Sequence, residues 1–296
     1  MAYLNDEKIK QLTHQANEVR QSIIEMLVEA KSGHSAGPLG MADVFTTFYF
    51  HILKHDPHNP DWEERDRLIL SNGHICPVQY ATMAHAGYFP IEELKTLRKL
   101  GTRLQGHPHR TSLPGLETTS GPLGSGLSQA AGMAYGLRMD EKKNWVYCLM
   151  SDAEQQIGQI WEAAMWAGNN KLGKLIGIID RNNIQINGFT ENVMPVEPLK
   201  AKWEAFNWHV QEIDGHNFEE IVNAVEEAKA IFNRPSLIIA HTIPGKGVDY
   251  MEYRYEWHGS PPGSIEPKGA PPKAEQAKKA LEQLRTLGGK ITSEHQ

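Results

Sequence analysis

Short apolar runs alternate along the chain with longer amphipathic stretches. Strands are predicted at five of these runs: LILS (68–71), WVYCLM (145–150), LIGIID (175–180), WHVQEID (208–214) and SLIIAHT (236–242). Apolar residues at helical spacing, together with capping residues, predict helices at about 5–29, 42–53, 75–86, 90–100, 127 onwards, 155–169, 197–206, 217–231 and 273–287. Strands that alternate with helices are typical of a parallel sheet, so we predict an α/β fold with a doubly wound sheet and helices on both faces.

Proline and glycine mark the point at which this alternation ends. The segment SPPGSIEPKGAPP (260–272) is typical of a linker, and a polar amphipathic helix with a frayed end follows it. We therefore expect one α/β domain over residues 1–262, and a linker with a helical tail over residues 263–296.

Composition and charge exclude several classes of function. The net charge of −6 gives no reason to expect binding to nucleic acid or to a membrane surface. No apolar run approaches the roughly 20 residues of a membrane span. The two cysteines, Cys76 and Cys148, are too few for a disulfide framework and suit a reducing cytosol. We therefore expect a cytoplasmic protein.

The most informative stretch is 145–188, where two predicted strands flank a helix. Such a right-handed crossover brings the loops after both strands to one edge of the sheet, where open α/β sheets bind ligands. Asp152 follows the first strand, at a helix N-terminus that favours phosphate, and Asn182 follows the second. With a neighbouring carbonyl they would be oxygen ligands for Mg²⁺ bound to that phosphate. Alternatively, Asp152 caps its helix, and Asn182 and Asn183 form a turn.

Four histidines, His34, His74, His107 and His258, lie in glycine-rich loops or at the end of a strand. Histidine transfers protons near neutral pH, so four in one site would suit a reaction that moves protons between hydroxyls and a carbonyl. Each histidine taken alone could equally be an exposed loop residue or a core residue. Metal binding by His107 and His109 lacks companion ligands at local spacing.

Several segments resemble those of transketolases. The stretch from Ser151 to Gly188 resembles their thiamine diphosphate signature, Gly-Asp-Gly followed by an Asn-containing loop. The segments KSGHSAGPLGMAD, RDRLILSNGH, ETTSGPLGSG and GKGV…WHG appear in family order over about residues 25–262. The resemblance implies the thiamine-diphosphate-binding fold of the diphosphate-binding (PP) type. It also implies ketol transfer, in which a two-carbon unit passes from a ketose phosphate to an aldose phosphate.

The resemblance also implies roles for individual residues. It implies that His34, His107 and His258 are catalytic and lie near the hydroxyls, the carbonyl and the reacting carbons of the donor. Cofactor binding falls to His74, Gly121, Pro122, Leu123, Asp152, Ala153, Asn182 and His258. The metal, Mg²⁺ with Ca²⁺ or Mn²⁺ as substitutes, would be bound by Asp152, Asn182 and the backbone carbonyl of Ile184.

Three positions depart from the family signature. Ser151 and Ala153 replace its two glycines, and Ile157 stands where a glutamate is usual. We expect these changes to weaken cofactor binding without abolishing it, and to impair communication between paired cofactor sites. The same departures would suit a non-catalytic relative that uses the fold for assembly or regulation.

The resemblance covers only the first part of a single-chain transketolase. Such enzymes continue into a second α/β domain, which brings the glutamate that activates the aminopyrimidine of the cofactor. We therefore expect the N-terminal subunit of a split transketolase, active only with a separate C-terminal subunit, in an α2β2 heterotetramer. An alpha subunit of a 2-oxo-acid dehydrogenase E1 is an alternative of similar length, and deoxyxylulose-phosphate synthase is normally one long chain.

Overall fold

A five-stranded parallel sheet forms the centre of the computed structural model, which describes residues 4–294, with side chains as far as residue 286. The strands are β1 (Arg67–Leu70), β2 (Val146–Ser151), β3 (Leu175–Arg181), β4 (Ile184–Gln185), β5 (Gly188–Phe189), β6 (His209–Asp214) and β7 (Ser236–His241). β4 and β5 form a small antiparallel hairpin, and the others lie in the order β1-β2-β3-β7-β6 with every pairing parallel. The five predicted strands are confirmed, each within one residue of its predicted ends.

Helices cover both faces of the sheet. They are α1 (Asp6–Ala30), α2 (Ala36–Gly40), α3 (Ala42–Thr47), α4 (Cys76–His85), α5 (Ser125–Met139), α6 (Gly158–Asn169), α7 (Thr190–Val193), α8 (Leu199–Ala205), α9 (Phe218–Ala230) and α10 (Lys273–Glu294). Along β2, Leu149 packs with α1, α3, α4 and α9, whereas Cys148 and Met150 pack with α5, α6 and α8. The predicted doubly wound fold is therefore confirmed. No helix within residues 4–294 is long and apolar enough to cross a membrane.

The glycine-rich stretch predicted as a loop over residues 30–40 contains α2, and all five residues of that helix are buried. A Cβ on Gly37 would lie 2.8 Å from the Ile75 side chain, and one on Gly40 would lie 2.9 Å from the carbonyl oxygen of Ile243. The prediction was wrong because these glycines are required by close packing against neighbouring segments, rather than by a loop conformation.

Other helices differ from the prediction in their length. The helix predicted over 90–100 is only a 3₁₀ turn, Ile91–Thr96, and it ends before Arg98, whose φ is +60°. The helix predicted from residue 155 begins at Gly158, because a separate 3₁₀ turn, Ala153–Gln156, precedes it. The short helix α7 was not predicted.

The C-terminal helix α10 packs against α1. Its residues Ala280 and Leu284 are fully buried, and Asn17 on α1 donates its side-chain amide to the carbonyl oxygen of Leu284 at 2.9 Å. The helix continues to Glu294, past the end predicted at residue 287. The boundary expected after residue 262 stays a prediction, and residues 295–296 of the predicted tail lie outside the described residues.

The order of the strands reverses between β3 and β7. Open α/β sheets bind ligands beyond the carboxyl ends of the strands next to such a reversal. The loops that leave β1, β2, β3 and β7 all start at this edge, because the strands are parallel. His74, Asp152, Ala153, Asn182 and His258 lie on the segments that follow these strands.

Candidate active site

Three histidine rings from distant parts of the sequence meet at the carboxyl edge of the sheet. The ring centroid of His34 lies 4.7 Å from that of His74 and 5.4 Å from that of His258, and His74 and His258 are 5.2 Å apart. His107 is close enough for its charge to act on His34 and His74. A Cβ on Gly121 would lie 3.6 Å from the His107 ring. The structure thus brings all four predicted histidines together, while their individual roles stay predictions.

Burial makes this histidine cluster neutral. It lowers the pKa of His34 to about 3 and that of His258 to about 4. Burial, with the charges of its neighbours, lowers the pKa of His74 well below its ordinary value, and burial with Arg98 lowers that of His107. Each neutral ring offers one N–H donor and one acceptor nitrogen, which suits binding of sugar hydroxyls and a carbonyl. A nearby diphosphate would raise these pKa values towards the range in which histidine transfers protons.

Several buried polar atoms around the cluster have no hydrogen-bond partner among the described residues. They include Nδ1 of His34, Nδ1 of His258, both amide atoms of Asn72 and the hydroxyl of Ser120. Buried polar atoms are nearly always paired, so unpaired ones at a ligand-binding edge indicate groups that a polar ligand would bind. A diphosphate cofactor with an aminopyrimidine ring fits this set of donors and acceptors.

The predicted cofactor-binding residues Gly121, Pro122 and Leu123 lie next to the loop that follows β1. A Cβ on Gly73 would lie 2.4 Å from the hydroxyl of Ser120 and 3.0 Å from the backbone nitrogen of Gly121, so the two loops are in contact. Gly121 has a φ of +144°, which favours glycine. Pro122 and Leu123 are exposed, so their surfaces are accessible to a ligand or to another chain.

The loop after β3 wraps around the carboxylate of Asp152. The backbone N–H of Asn183 donates to Oδ2 of Asp152 at 2.7 Å. Asn182 donates Nδ2 to Asp180 at 2.7 Å, and its Oδ1 accepts the N–H of Ile184 at 3.0 Å. Asn182 therefore does form a turn, as the alternative held, but the Asp152 side chain makes no helix-capping bond. The predicted metal ligands thus come from adjacent strand ends, whose loops are in contact.

The oxygen atoms at this point suit a hard cation. The hydroxyl of Thr190 makes a long contact with Oδ1 of Asp152 at 3.4 Å, and the amide oxygen of Asn182 and the carbonyl of Ile184 belong to the adjoining loop. Carboxylate, amide and carbonyl oxygens are ligands of Mg²⁺, so these residues fit the expected metal. Burial raises the pKa of Asp152, and the Arg181 guanidinium, 2.8 Å from its Oδ2, acts in the opposite direction.

Glu154, which the sequence analysis missed, connects three elements at this edge. It is fully buried, and its carboxylate accepts the hydroxyl of Ser71 at 2.6 Å, the N–H of Gly124 at 2.8 Å and the N–H of Ser151 at 2.7 Å. The N–H of Glu154 donates in return to the Ser151 hydroxyl at 3.3 Å. This reciprocal pair is a capping box, and its Ser-x-x-Glu pattern was visible in the sequence SDAE.

Asp180 was also missed, although it ends the apolar run LIGIID. It is buried and accepts hydrogen bonds from Thr242 at 2.5 Å and from the Asn182 amide at 2.7 Å. Burial, with the nearby charge of Asp152, raises the pKa of Asp180 to about 7. An acid inside an apolar strand that ends at the ligand-binding edge was the available signal. Its hydrogen bond fixes the orientation of the Asn182 amide.

Arg98 joins the loops that carry His34 and His107. It donates to the hydroxyl of Ser32 at 2.7 Å and to the carbonyl oxygen of Gly106 at 3.4 Å. No local pattern in the sequence distinguishes it from other surface arginines. The contacts of Arg98 with Ser32 and Gly106 therefore follow from the tertiary fold and could not be predicted from the sequence.

The three departures from the family signature have different structural settings. Ala153 lies in a 3₁₀ turn and is not among the residues with positive φ, so its Cβ causes crowding at most. The Ser151 hydroxyl is used by the capping box with Glu154. Ile157 packs on Gly124, where a Cβ would lie 2.9 Å from the isoleucine side chain. The expected weaker cofactor binding stays a prediction.

Comparison with known proteins agrees with this geometry. Residues 12–270 match the family model described as "Transketolase, thiamine diphosphate binding domain". The 6-deoxy-6-sulfo-D-fructose transketolase subunit SqwG of a Clostridium species is 48% identical over 247 residues, which are 83% of this chain and 90% of that protein. An apulose-4-phosphate transketolase subunit of Phocaeicola vulgatus is 39% identical over 86% of this chain and 90% of its own length.

A solved structure shares the fold. The transketolase from Campylobacter jejuni superposes with a TM-score of 0.81 at 33% sequence identity, over 98% of this chain and 48% of that chain. This chain thus spans about half the length of that enzyme but nearly the full length of the two subunits. By the match over residues 12–270 and by these relatives, the chain belongs to the transketolase family, as a member of its N-terminal, thiamine-diphosphate-binding group.

Proposed function

We propose that this chain is the cofactor-binding subunit of a two-subunit transketolase that transfers a two-carbon ketol unit from a ketose phosphate to an aldose phosphate. The observation that carries the proposal is the cluster of His34, His74 and His258 at the carboxyl edge of the sheet. Two of these rings hold buried nitrogen atoms there that have no hydrogen-bond partner within the described part of the chain. A site built mainly for structure would have paired these atoms within the protein.

Each residue would contribute a separate task. Thiamine diphosphate supplies the nucleophilic carbon and the electron sink when bound. Asp152, Asn182 and the carbonyl of Ile184 would hold a divalent cation against its diphosphate, and His74 with Gly121 would contact the cofactor. His34 and His258 would orient the hydroxyls and the carbonyl of the donor, and His107 would serve proton transfer near the reacting carbons. The partial burial of His34, His74 and His258 lowers the local dielectric constant and would strengthen their hydrogen bonds to the donor.

We also propose that the partner is a separate C-terminal subunit, in an α2β2 assembly, and that the location is cytoplasmic. The partner is supported by two relatives that are named as transketolase subunits. The match to this chain covers 90% of the length of each. The location is supported by Cys76 and Cys148, which are free thiols buried in the core.

The test is a ketol-transfer assay on the chain co-purified with a candidate C-terminal subunit. The donors would be xylulose 5-phosphate, 6-deoxy-6-sulfofructose and apulose 4-phosphate, each with an aldose phosphate acceptor. We expect turnover with at least one donor that requires both thiamine diphosphate and a divalent cation. A complex that binds the cofactor but transfers no ketol unit from any of them would contradict the proposal.

A second candidate is a non-catalytic role in assembly or regulation. The observation that favours it is the pairing of Arg181 with Asp152, because a cation already lies on the carboxylate that would bind the metal. This alternative predicts that the assembled complex binds no thiamine diphosphate at millimolar concentration. Calorimetry on the complex separates the two functions before any activity is measured.

A further inference from the structure

Arg181 forms a buried ion pair with the proposed metal ligand Asp152. Its Nη1 donates to Oδ2 of Asp152 at 2.8 Å, and the arginine side chain is 9% exposed while that of Asp152 is fully buried. The second terminal nitrogen, Nη2, contacts Glu191 at 2.7 Å and Glu197 at 3.0 Å. One guanidinium thus connects the inner carboxylate to two outer ones.

The two halves of this guanidinium lie in different surroundings. Asp152 is buried, whereas the side chains of Glu191 and Glu197 are 29% and 53% exposed. Glu191 and Glu197 are also fixed in place by backbone bonds, since they accept the N–H groups of Val196 and Leu199. The outer carboxylates can therefore retain Arg181 without any contribution from Asp152.

We propose that Arg181 competes with the divalent cation for Asp152 and thereby sets the cation affinity of the site. The inference rests on the proposed function, since it takes Asp152 as the metal ligand. Arg181 occupies Oδ2 of Asp152, so a cation on Oδ1 of the same carboxylate would lie close to the guanidinium, and like charges that close repel strongly in a buried site. Binding of the cation would release Nη1 from Asp152, while Glu191 and Glu197 keep the arginine at the edge of the site.

This competition has a consequence for the cofactor. The diphosphate and the cation would have to arrive together, because the diphosphate charge offsets the repulsion between the cation and Arg181. Cation binding should therefore be weak without thiamine diphosphate and much stronger with it. The carboxylates of Glu191 and Glu197 lower the cost of this exchange, since they stabilise the arginine in its displaced position.

The experiment is a titration of the full chain with Mn²⁺, followed by the electron paramagnetic resonance signal of the free ion, with and without thiamine diphosphate. We expect Arg181→Met to bind Mn²⁺ at least tenfold more tightly than the natural chain in the absence of the cofactor. The control is Arg65→Met, which also removes an arginine from a largely buried carboxylate: Arg65 is 13% exposed and lies 3.0 Å from Glu117, which is 10% exposed and keeps Arg67 at 3.7 Å. That variant should leave Mn²⁺ affinity unchanged.

A second pair of substitutions is expected to weaken Mn²⁺ binding instead of strengthening it. It keeps the ion pair between Arg181 and Asp152. With Glu191→Gln and Glu197→Gln combined, Arg181 has only Asp152 as a charged partner, so Mn²⁺ should bind at least threefold more weakly. Mn²⁺ should also raise the melting temperature of Arg181→Met more than that of the natural chain, because the metal replaces the lost charge.

Equal or weaker Mn²⁺ binding by Arg181→Met would overturn the inference while leaving the metal site intact. If neither chain bound Mn²⁺ even with thiamine diphosphate, the metal assignment in the proposed function would fail instead.

Discussion

At the scale of single residues, burial decides what the histidine cluster can do. A protonated imidazole would have to lose its hydration in this cleft, so the cluster is neutral, with the pKa of His34 at about 3 and that of His258 at about 4. Neutral rings bind hydroxyls without repelling one another at centroid distances near 5 Å. The same desolvation has a measurable effect on stability.

We predict that the free energy of unfolding falls as the pH is lowered from 7 to 5. Unfolded histidines take up protons below about pH 6.5, whereas the half-buried His34 and His258 do not until far lower pH, so acid favours the unfolded chain. At pH 5 each would contribute about 2 kcal/mol to this loss. Urea unfolding at several pH values should show a shallower pH dependence for His34→Asn or His258→Asn. The exposed His14→Asn is the control, and an unchanged slope in both cluster variants would contradict the prediction.

We also predict that Asp152 and His258 fail in different ways when replaced. Asp152→Ala should abolish cation-dependent binding of thiamine diphosphate, because it removes the only charged ligand proposed for the metal. His258→Ala should reduce kcat of the assembled enzyme by about a hundredfold while cofactor affinity changes little, since it would act on the donor. Calorimetry measures the first effect and steady-state kinetics the second. Unchanged cofactor binding by Asp152→Ala would refute the metal assignment.

The sequence predicted the residues of this site that have a local signature. The histidines stood out because each lies in a glycine-rich loop or at a strand end, and Asp152 because it follows a buried strand. Arg98 and Arg181 were missed, because an arginine near a turn has the same local pattern whether it faces solvent or reaches a carboxylate 29 positions away, as Arg181 does. Their importance comes from tertiary contacts alone.

At the scale of elements, Glu154 holds the carboxyl ends of β1 and β2 to the start of α5. It accepts three hydrogen bonds of 2.6 to 2.8 Å while fully buried. Loss of such an acceptor leaves buried donors unpaired, so Glu154→Ala should lower the free energy of unfolding by about 3 kcal/mol. The exposed Glu162→Ala on α6 should change it by less than about 0.5 kcal/mol. Urea unfolding of both variants provides the measurement, and equal stability would show that the donors find other partners.

The boundaries of elements were predicted well where a run of apolar residues determines them. They were predicted poorly where packing between distant segments determines them. Each strand of the five-stranded sheet was placed within one residue, because buried runs of β-branched and apolar residues have few other interpretations, whereas the hairpin strands β4 and β5 were not predicted. The helix α2 was missed because Gly37 and Gly40, which suggest a loop, are required there by close packing: an added Cβ would lie under 3 Å from Ile75 and Ile243. Such contacts join residues far apart in the sequence and have no local pattern.

At the scale of the whole molecule, several large apolar side chains are exposed to solvent. Met165, Trp166 and Met194 expose 57%, 42% and 55% of their surface, and Ile186, in the loop beyond Asn182, exposes 68%. Large apolar side chains at such exposure are costly in water when they cluster and are common at interfaces. These exposed side chains support the proposed partner, and so do the two relatives named as transketolase subunits.

The last prediction is that this chain without its partner does not catalyse ketol transfer. By the family resemblance, the glutamate that activates the aminopyrimidine lies on the second α/β domain. Two buried acids at this edge are engaged elsewhere: Glu154 in its capping box and Asp180 with Thr242 and Asn182. Turnover should be at background for either protein by itself and should saturate at an equimolar ratio when the two are mixed with thiamine diphosphate and Mg²⁺. Mixing the partner with the Asp152→Ala chain is the control, and it should stay at background because the activity depends on this chain's cofactor site. Turnover by the natural chain without a partner, at a rate comparable to that of the mixture, would disprove the split-enzyme proposal.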